Sequence, residues 1–188
     1  MTKAICASLV FMTAAMLLEP PANAQGIWFG PQIGYQRARD ADEGDLLGGA
    51  AFRMKFSPSF GAEASIYYRE ADFEDGAVTI RNWPVHATGQ LYLFPGVFAA
   101  IGGGWYHTTF DYSEDINQTG IDDDTDTQFG WHFGGGMAVP LGETMQLTGD
   151  IRYVFLDYDF QGLPGRDLDS NFYMITIGLQ FGRGGPYE

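Results

Sequence analysis

The chain has 188 residues, with 24 acidic against 10 basic side chains and a formal net charge of -14. That length suits one domain, and that charge excludes nucleic acid as a partner, because no basic footprint exists to neutralise phosphates. Aromatic residues make up 15% and glycines number 26, a combination that suits a barrel with aromatic girdles better than a soluble enzyme.

The first element is a targeting segment. Lys3 supplies a positive start, Ala4 to Leu18 is an uncharged and mostly apolar run, and Glu19-Pro20-Pro21 breaks it. Ala22-Asn23-Ala24 reads as a cleavage site. Residues 1–24 are therefore expected to be a cleaved signal peptide, with the mature barrel domain over 25–188 beginning at Gln25. The apolar run is too short for a spanning helix, which needs about 20 residues. Cys6 is the only cysteine and lies inside this segment, away from the cleavage site, so it is no lipid attachment point. The mature chain then has no thiol chemistry and no Cys-based zinc site.

From Gly26 onward apolar and polar residues alternate in segments of roughly ten residues cut by turn residues, which is the pattern of transmembrane strands. Eight segments are predicted. The first is Gly26 to Arg39, with Ile27, Phe29, Ile33 and Tyr35 on one face and Gln32, Gly34 and Gln36 on the other. After an acidic loop, Asp40 to Asp45, the second runs Leu46 to Phe56 and sets Ala50, Phe52 and Met54 against Arg53 and Lys55. The third, Phe60 to Glu70, alternates Ala62, Ala64, Ile66 and Tyr68 with Glu63, Ser65, Tyr67 and Arg69. A polar loop, Ala71 to Ala77, leads to the fourth, Val78 to Phe94, which carries His86 and Gln90 on its polar face. The fifth, Val97 to Phe110, is rich in glycine. The longest loop, Asp111 to Asp126, precedes the sixth, Thr127 to Pro140, where Phe129, Trp131 and Phe133 oppose His132 and Gly134. The seventh, Met145 to Tyr158, sets Leu147, Ile151, Tyr153 and Phe155 against Asp150 and Arg152. A loop, Asp159 to Ser170, leads to the eighth, Asn171 to Gly182.

The connections sort by length. Those after the first, third, fifth and seventh segments are long and acidic, and those after the second, fourth and sixth are tight and contain Pro or Gly. Short periplasmic turns and long extracellular loops are the habit of outer-membrane barrels. The expected fold is all-β, an eight-stranded antiparallel up-and-down transmembrane barrel.

Alternation alone does not say which face points inward. Eight strands enclose an interior only just wide enough for side chains. Large aromatics such as Trp131, Phe133, Tyr153 and Phe155 pack poorly there, so they are assigned to lipid and the polar face to the lumen. The lumen network is then Arg53, Lys55, Glu63, Arg69, His86, Gln90, His132, Asp150 and Arg152, with Glu63 and Asp150 as partners for the three arginines. Trp28, Trp83, Trp105 and Tyr158, near strand ends, are candidates for the interfacial girdles. With the faces reversed the chain would be a soluble, lipocalin-like binder.

Several passages resemble the outer membrane protein β-barrel domain family of small OmpA-like, OmpX-like and opacity-type proteins of the Gram-negative cell surface. They include Gly26-Ile-Trp-Phe-Gly-Pro-Gln-Ile-Gly-Tyr35, Phe60-Gly-Ala-Glu-Ala-Ser-Ile-Tyr-Tyr68, Trp83 to Pro95, Ala99 to Trp105, Phe129-Gly-Trp-His-Phe-Gly-Gly-Gly136 and Asp150-Ile-Arg-Tyr-Val-Phe155. The resemblance covers essentially the whole mature chain. It implies a monomer in the outer membrane, in contact with its lipid and lipopolysaccharide. It also implies that a final strand ending in an aromatic residue, here Tyr173 to Phe181, is read by the barrel-assembly machinery. The chain departs from that pattern in the tail Gly182 to Glu188, which is too short for a peptidoglycan-binding domain.

Some eight-stranded barrels modify lipid A, which needs a serine, a histidine and an acid in register. The histidines here are His86, His107 and His132 and the serines Ser65, Ser113 and Ser170, without a His-x-Ser signature. No enzyme and no cofactor are expected. The acidic run Asp122, Asp123, Asp124 and Asp126 offers oxygen ligands for Ca²⁺ but lacks the spacing of an EF-hand loop, and is read as a solvated loop. The expected role is structural or surface-interacting, with the loops as contact surface for an extracellular ligand. A narrow, porin-like conduit for small solutes is the alternative.

Overall fold

A computed structural model describes residues 26–39, 44–73, 78–112, 124–156 and 171–184. They form eight strands: β1 Gly26–Ala38, β2 Asp45–Lys55, β3 Phe60–Phe73, β4 Val78–Phe94, β5 Val97–Tyr112, β6 Asp124–Pro140, β7 Met145–Leu156 and β8 Phe172–Arg183. Each pairs antiparallel with its neighbours in sequence, and β1 pairs with β8, so the sheet is a closed barrel. Closure leaves no unpaired edge, the condition for a sheet to sit in lipid.

The tight connections lie together at one end, the periplasmic end in barrels of this kind. The Phe56–Ser59 turn is held by Phe56 N–H donating to the Phe60 carbonyl at 2.9 Å, and by Phe60 N–H donating to Ser57 Oγ at 3.0 Å. Pro95-Gly96 joins β4 to β5, with Gly96 at φ 77°, a left-handed conformation that glycine adopts without strain. At the other end the strands run further than the alternation suggests. β3 reaches Phe73, β5 reaches Tyr112 and β6 begins at Asp124. The β3–β4 connection is therefore only residues 74–77, and that loop is not long. The reason is physical. Above the bilayer both faces of a hairpin meet water, so side-chain alternation fades while backbone pairing, such as Phe73 with Val78, continues.

The apolar face points outward. Ile33, Ile101 and Trp131 are 68%, 68% and 63% exposed, whereas Arg53 and Arg152 on the opposite parity are 1% and 0% exposed. Two expectations need correction. Trp28 lies inside the barrel, buried, on the same parity as Gln32. The lumen also holds Tyr67, Phe98, Tyr106 and Phe172, so aromatic rings are not excluded from it. Inward-facing glycines make the room: a Cβ at Gly49 would sit 2.6 Å from the Tyr67 ring, and one at Gly136 would sit 2.7 Å from the Phe98 ring. Trp83 and Trp105 are exposed on the outer wall, as expected of girdle residues. Tyr158 lies outside the described residues.

Two ladders are interrupted at a proline. Between β1 and β8 the pairing steps from Phe29–Phe181 to Gln32–Gly178, across Pro31. Between β3 and β4 the pairing steps from Ile66–Val85 to Arg69–Asn82 and skips the positions facing Trp83 and Pro84. Proline has no N–H to donate, so each gap falls where the residue type dictates.

Candidate functional site

The polar side chains that gather around Glu63 are drawn from β2, β3, β4, β6, β7 and β8. Glu63 is the keystone. Its carboxylate accepts from Arg53 Nε at 3.0 Å and Nη2 at 2.5 Å, and from Arg152 Nη2 at 2.5 Å. Arg152 also donates from Nε to Asp150 at 2.8 Å and from Nη1 to Thr88 Oγ1 at 3.2 Å. Thr176 donates to the other Asp150 oxygen at 2.9 Å, and Thr88 Oγ1 meets His132 Nε2 at 2.9 Å. With the Gln90 amide oriented to satisfy both ends, its oxygen accepts from Arg53 at 3.0 Å and its nitrogen donates to Tyr92 Oη at 3.1 Å. Two guanidiniums thus face two carboxylates at the centre, and the charges balance.

That balance is what permits burial. A lone buried charge is expensive, whereas a paired and hydrogen-bonded one is tolerated. Arg53 has a further partner, the face of Phe98, 4.7 Å from guanidinium to ring centroid.

Apolar layers close the network on both sides. Towards the loop end, Leu47, Tyr67, Tyr106, Val154, Leu156, Phe172 and Met174 form one buried cluster. His86 belongs beside this layer: its ring lies 5.5 Å from Tyr67, 5.3 Å from Tyr106 and 5.1 Å from His132. Tyr67 Oη donates to Gln32 Oε1 at 2.6 Å. Towards the turn end lie Trp28, Phe98, Tyr92, Gln146 and Gln180, with Gln146 donating to Gln180 at 2.8 Å. A void of about 10 Å³ there, bordered by Trp28, Lys55, Tyr92 and Gln146, is at the lower limit for one water molecule.

The structure brings together Arg53, Glu63, Gln90, His132, Asp150 and Arg152 from the expected set. It sets two others apart. Arg69 pairs with Asp45 near the loop end and touches neither Glu63 nor Asp150. Lys55 sits at the turn end, its Nζ 4.7 Å from the centroid of the Tyr92 ring. Sequence reasoning missed Thr88 and Thr176, small hydroxyl groups whose inward parity was the available signal.

The remaining candidates are placed as follows. Ser65 and His86 face each other across β3 and β4, but are not hydrogen-bonded to each other. His107 is on the outer wall with Nδ1 2.8 Å from Thr127 Oγ1. Ser113 and Ser170 lie outside the described residues, as do Asp122 and Asp123. Asp124 and Asp126 are in β6, opposite Phe110 and Thr108 of β5. Among the described residues no group of three or more His, Cys, Asp or Glu side chains is placed to hold a metal ion.

A family model, outer membrane protein beta-barrel domain, matches residues 4–181. The chain belongs to that family. It is a small outer-membrane barrel, and the outer membrane is where it resides. Among solved structures it is similar to Ail of Yersinia pestis in complex with the heparin analogue sucrose octasulfate, at 13% identity and a TM-score of 0.56 over 85% of this chain and 99% of that one. It is also similar to a major outer membrane protein of Thermus thermophilus, at 13% identity and a TM-score of 0.57 over 83% and 99%. A third is OprG of Pseudomonas aeruginosa, at 13% and 0.52 over 87% and 98%. At these identities the likeness shows the fold. No curated protein matches in sequence.

Proposed function

We propose that the protein is a sealed barrel whose work is done by its extracellular loops, in a structural or surface-interaction role. The observation that carries this reading is the filled cross-section at Glu63. Arg53, Arg152, His86 and His132 are almost wholly buried around it, with aromatic layers above and below. An eight-stranded interior has no spare width for a solute path beside such a network.

The loop chemistry narrows the partner. The loop segments include Asp40, Asp42, Glu43, Asp122 and Asp123, in a chain of net charge -14. Ail was solved with a polysulfated sugar. An acidic loop surface repels such a ligand, so a basic partner, or lipopolysaccharide bridged by divalent ions, suits this chain better. Export by a signal peptide over residues 1–24 belongs to the same reading, and is supported by the apolar run Ala4 to Leu18 followed by Ala22-Asn23-Ala24. So does recognition of the last strand by the barrel-assembly machinery, for which Tyr173 and Phe181 lie exposed on the outer wall.

Planar-bilayer recording of the purified barrel tests the reading. The expected result is no steady current above the bare membrane. Reproducible, ion-selective steps would establish the conduit instead.

A further inference from the structure

The barrel is closed through the membrane, but its wall splits at the loop end. The β2–β3 ladder stops at Gly48–Tyr68, although β2 begins at Asp45 and β3 runs on to Phe73. Each strand keeps its other neighbour there. Asp45, Leu46 and Leu47 pair with Gln36, Tyr35 and Gly34 of β1, and Arg69 to Phe73 pair with Asn82 to Val78 of β4. Among the described residues, nothing pairs with β3 beyond Tyr68 on its β2 side. A strand with a ladder on one side only turns every second residue's N–H and C=O away from that ladder. Arg69 to Phe73 therefore present a row of backbone donors and acceptors. The row lies above the hydrocarbon. Tyr68 and Trp83, whose rings are 4.5 Å apart, mark the interface level on the outer wall, and the row runs on from there toward the loops. An ion pair bridges the split, with Arg69 Nη1 donating to Asp45 Oδ2 at 2.5 Å.

We propose that this edge of β3 takes an extended, basic polypeptide segment as an added strand. The inference rests on the loop end being the contact surface, and names the mode and the partner chemistry. In strand addition the main-chain hydrogen bonds supply affinity, and side chains at alternate positions supply specificity. The charges around the split point one way. Asp45, Glu70 and Asp72 outnumber Arg69 and Arg81, and Asp40, Asp42 and Glu43 precede Asp45 in the chain. An incoming strand with lysine or arginine at alternate positions is attracted by this field, and an acidic one is repelled. The same charges disfavour a second copy of this chain, which brings an acidic edge to an acidic edge. A short, charged edge is how sheets avoid pairing with themselves.

The test titrates the full barrel, in nanodiscs of zwitterionic phosphatidylcholine, with three labelled short peptides read by fluorescence anisotropy. The first alternates Lys and Val. The second is the same peptide with every amide N-methylated, which keeps the charge and removes the main-chain donors. The third alternates Glu and Val. The first peptide is expected to bind, and the other two to bind at least about tenfold more weakly. A benzophenone-bearing form of the first peptide should crosslink to β3 within Arg69 to Phe73 or to the facing end of β2, mapped by mass spectrometry. No binding of the first peptide overturns the proposal, and so does equal binding of the acidic one. Binding that survives N-methylation, or crosslinks confined to other segments, overturns the edge as the site and leaves the loops standing as contact surface. Barrel dimers that the first peptide disperses would assign the edge to a second copy, and would also overturn it.

Discussion

Replacing Glu63 by Gln is the sharpest probe of the lumen. The substitution conserves shape and removes one negative charge from a site that accepts from two guanidiniums, Arg53 and Arg152. The centre passes from neutral to one net positive charge, with Asp150 left as the acid paired to Arg152. Glu63 is 3% exposed and both arginines are less so, leaving little water to screen the imbalance. Breaking a buried pair by neutralising one partner costs about 3–5 kcal/mol. Removing both members with apolar groups of similar size costs much less, and is in some proteins neutral or stabilising. The double variant Arg53→Met with Glu63→Met restores neutrality and leaves the Arg152–Asp150 pair intact. Reversible urea unfolding in lipid vesicles, followed by tryptophan fluorescence and heat-modifiable migration, measures both variants. Glu63→Gln should lose about 3–5 kcal/mol and the double variant clearly less. A single variant within about 0.5 kcal/mol of wild type, or a double variant worse than the single one, would refute the account of the centre as a charge-balanced seal.

Two further predictions test which face meets lipid. Ile101→Arg places a cation mid-strand at a position 68% exposed on the outer wall. It should lower unfolding free energy in vesicles by about 2–4 kcal/mol, and no change on urea titration would mean that this face is not in hydrocarbon. Variants keeping a single tryptophan, read by quenching with lipids brominated along the acyl chain, should show Trp131 strongly quenched and Trp28 nearly unquenched; strong quenching of Trp28 would place it on the outer wall.

The strands are legible because lipid and lumen impose opposite chemistry on successive residues. β7 is the plainest case: Gln146, Thr148, Asp150 and Arg152 are buried while Leu147, Ile151 and Phe155 are exposed. Where that contrast ends, legibility ends with it. Ala71, Asp72 and Phe73 continue β3 by backbone pairing, but from Glu70 on the apolar residues fall on the opposite parity to Ala62, Ala64, Ile66 and Tyr68, so the pattern that marks the strand stops before them. Trp28 differs, because its signal is present. It shares parity with Gln32, and that parity is a better guide to its position than the general preference of tryptophan for membrane interfaces.

The partners in the lumen mark a deeper boundary. Arg53 and Glu63 lie directly opposite in the β2–β3 hairpin, so the short turn between them sets their meeting and local reading finds it. Arg69 lies six residues further along β3, roughly 20 Å at about 3.3 Å per residue, and so belongs to another level, where Asp45 meets it. Composition alone does not separate these two arginines, but counting residues along the strand does. Glu63 and Arg152 are 89 residues apart and face each other across the lumen. Their contact depends on the stagger of the strands around the closed barrel, a property of eight registers taken together. A variant that shifted one register by two residues would keep every strand's alternation and still remove the Glu63–Arg152 pair. The seal is thus a consequence of closure, and this is why the alternation that locates the membrane wall leaves the lumen's central contact open.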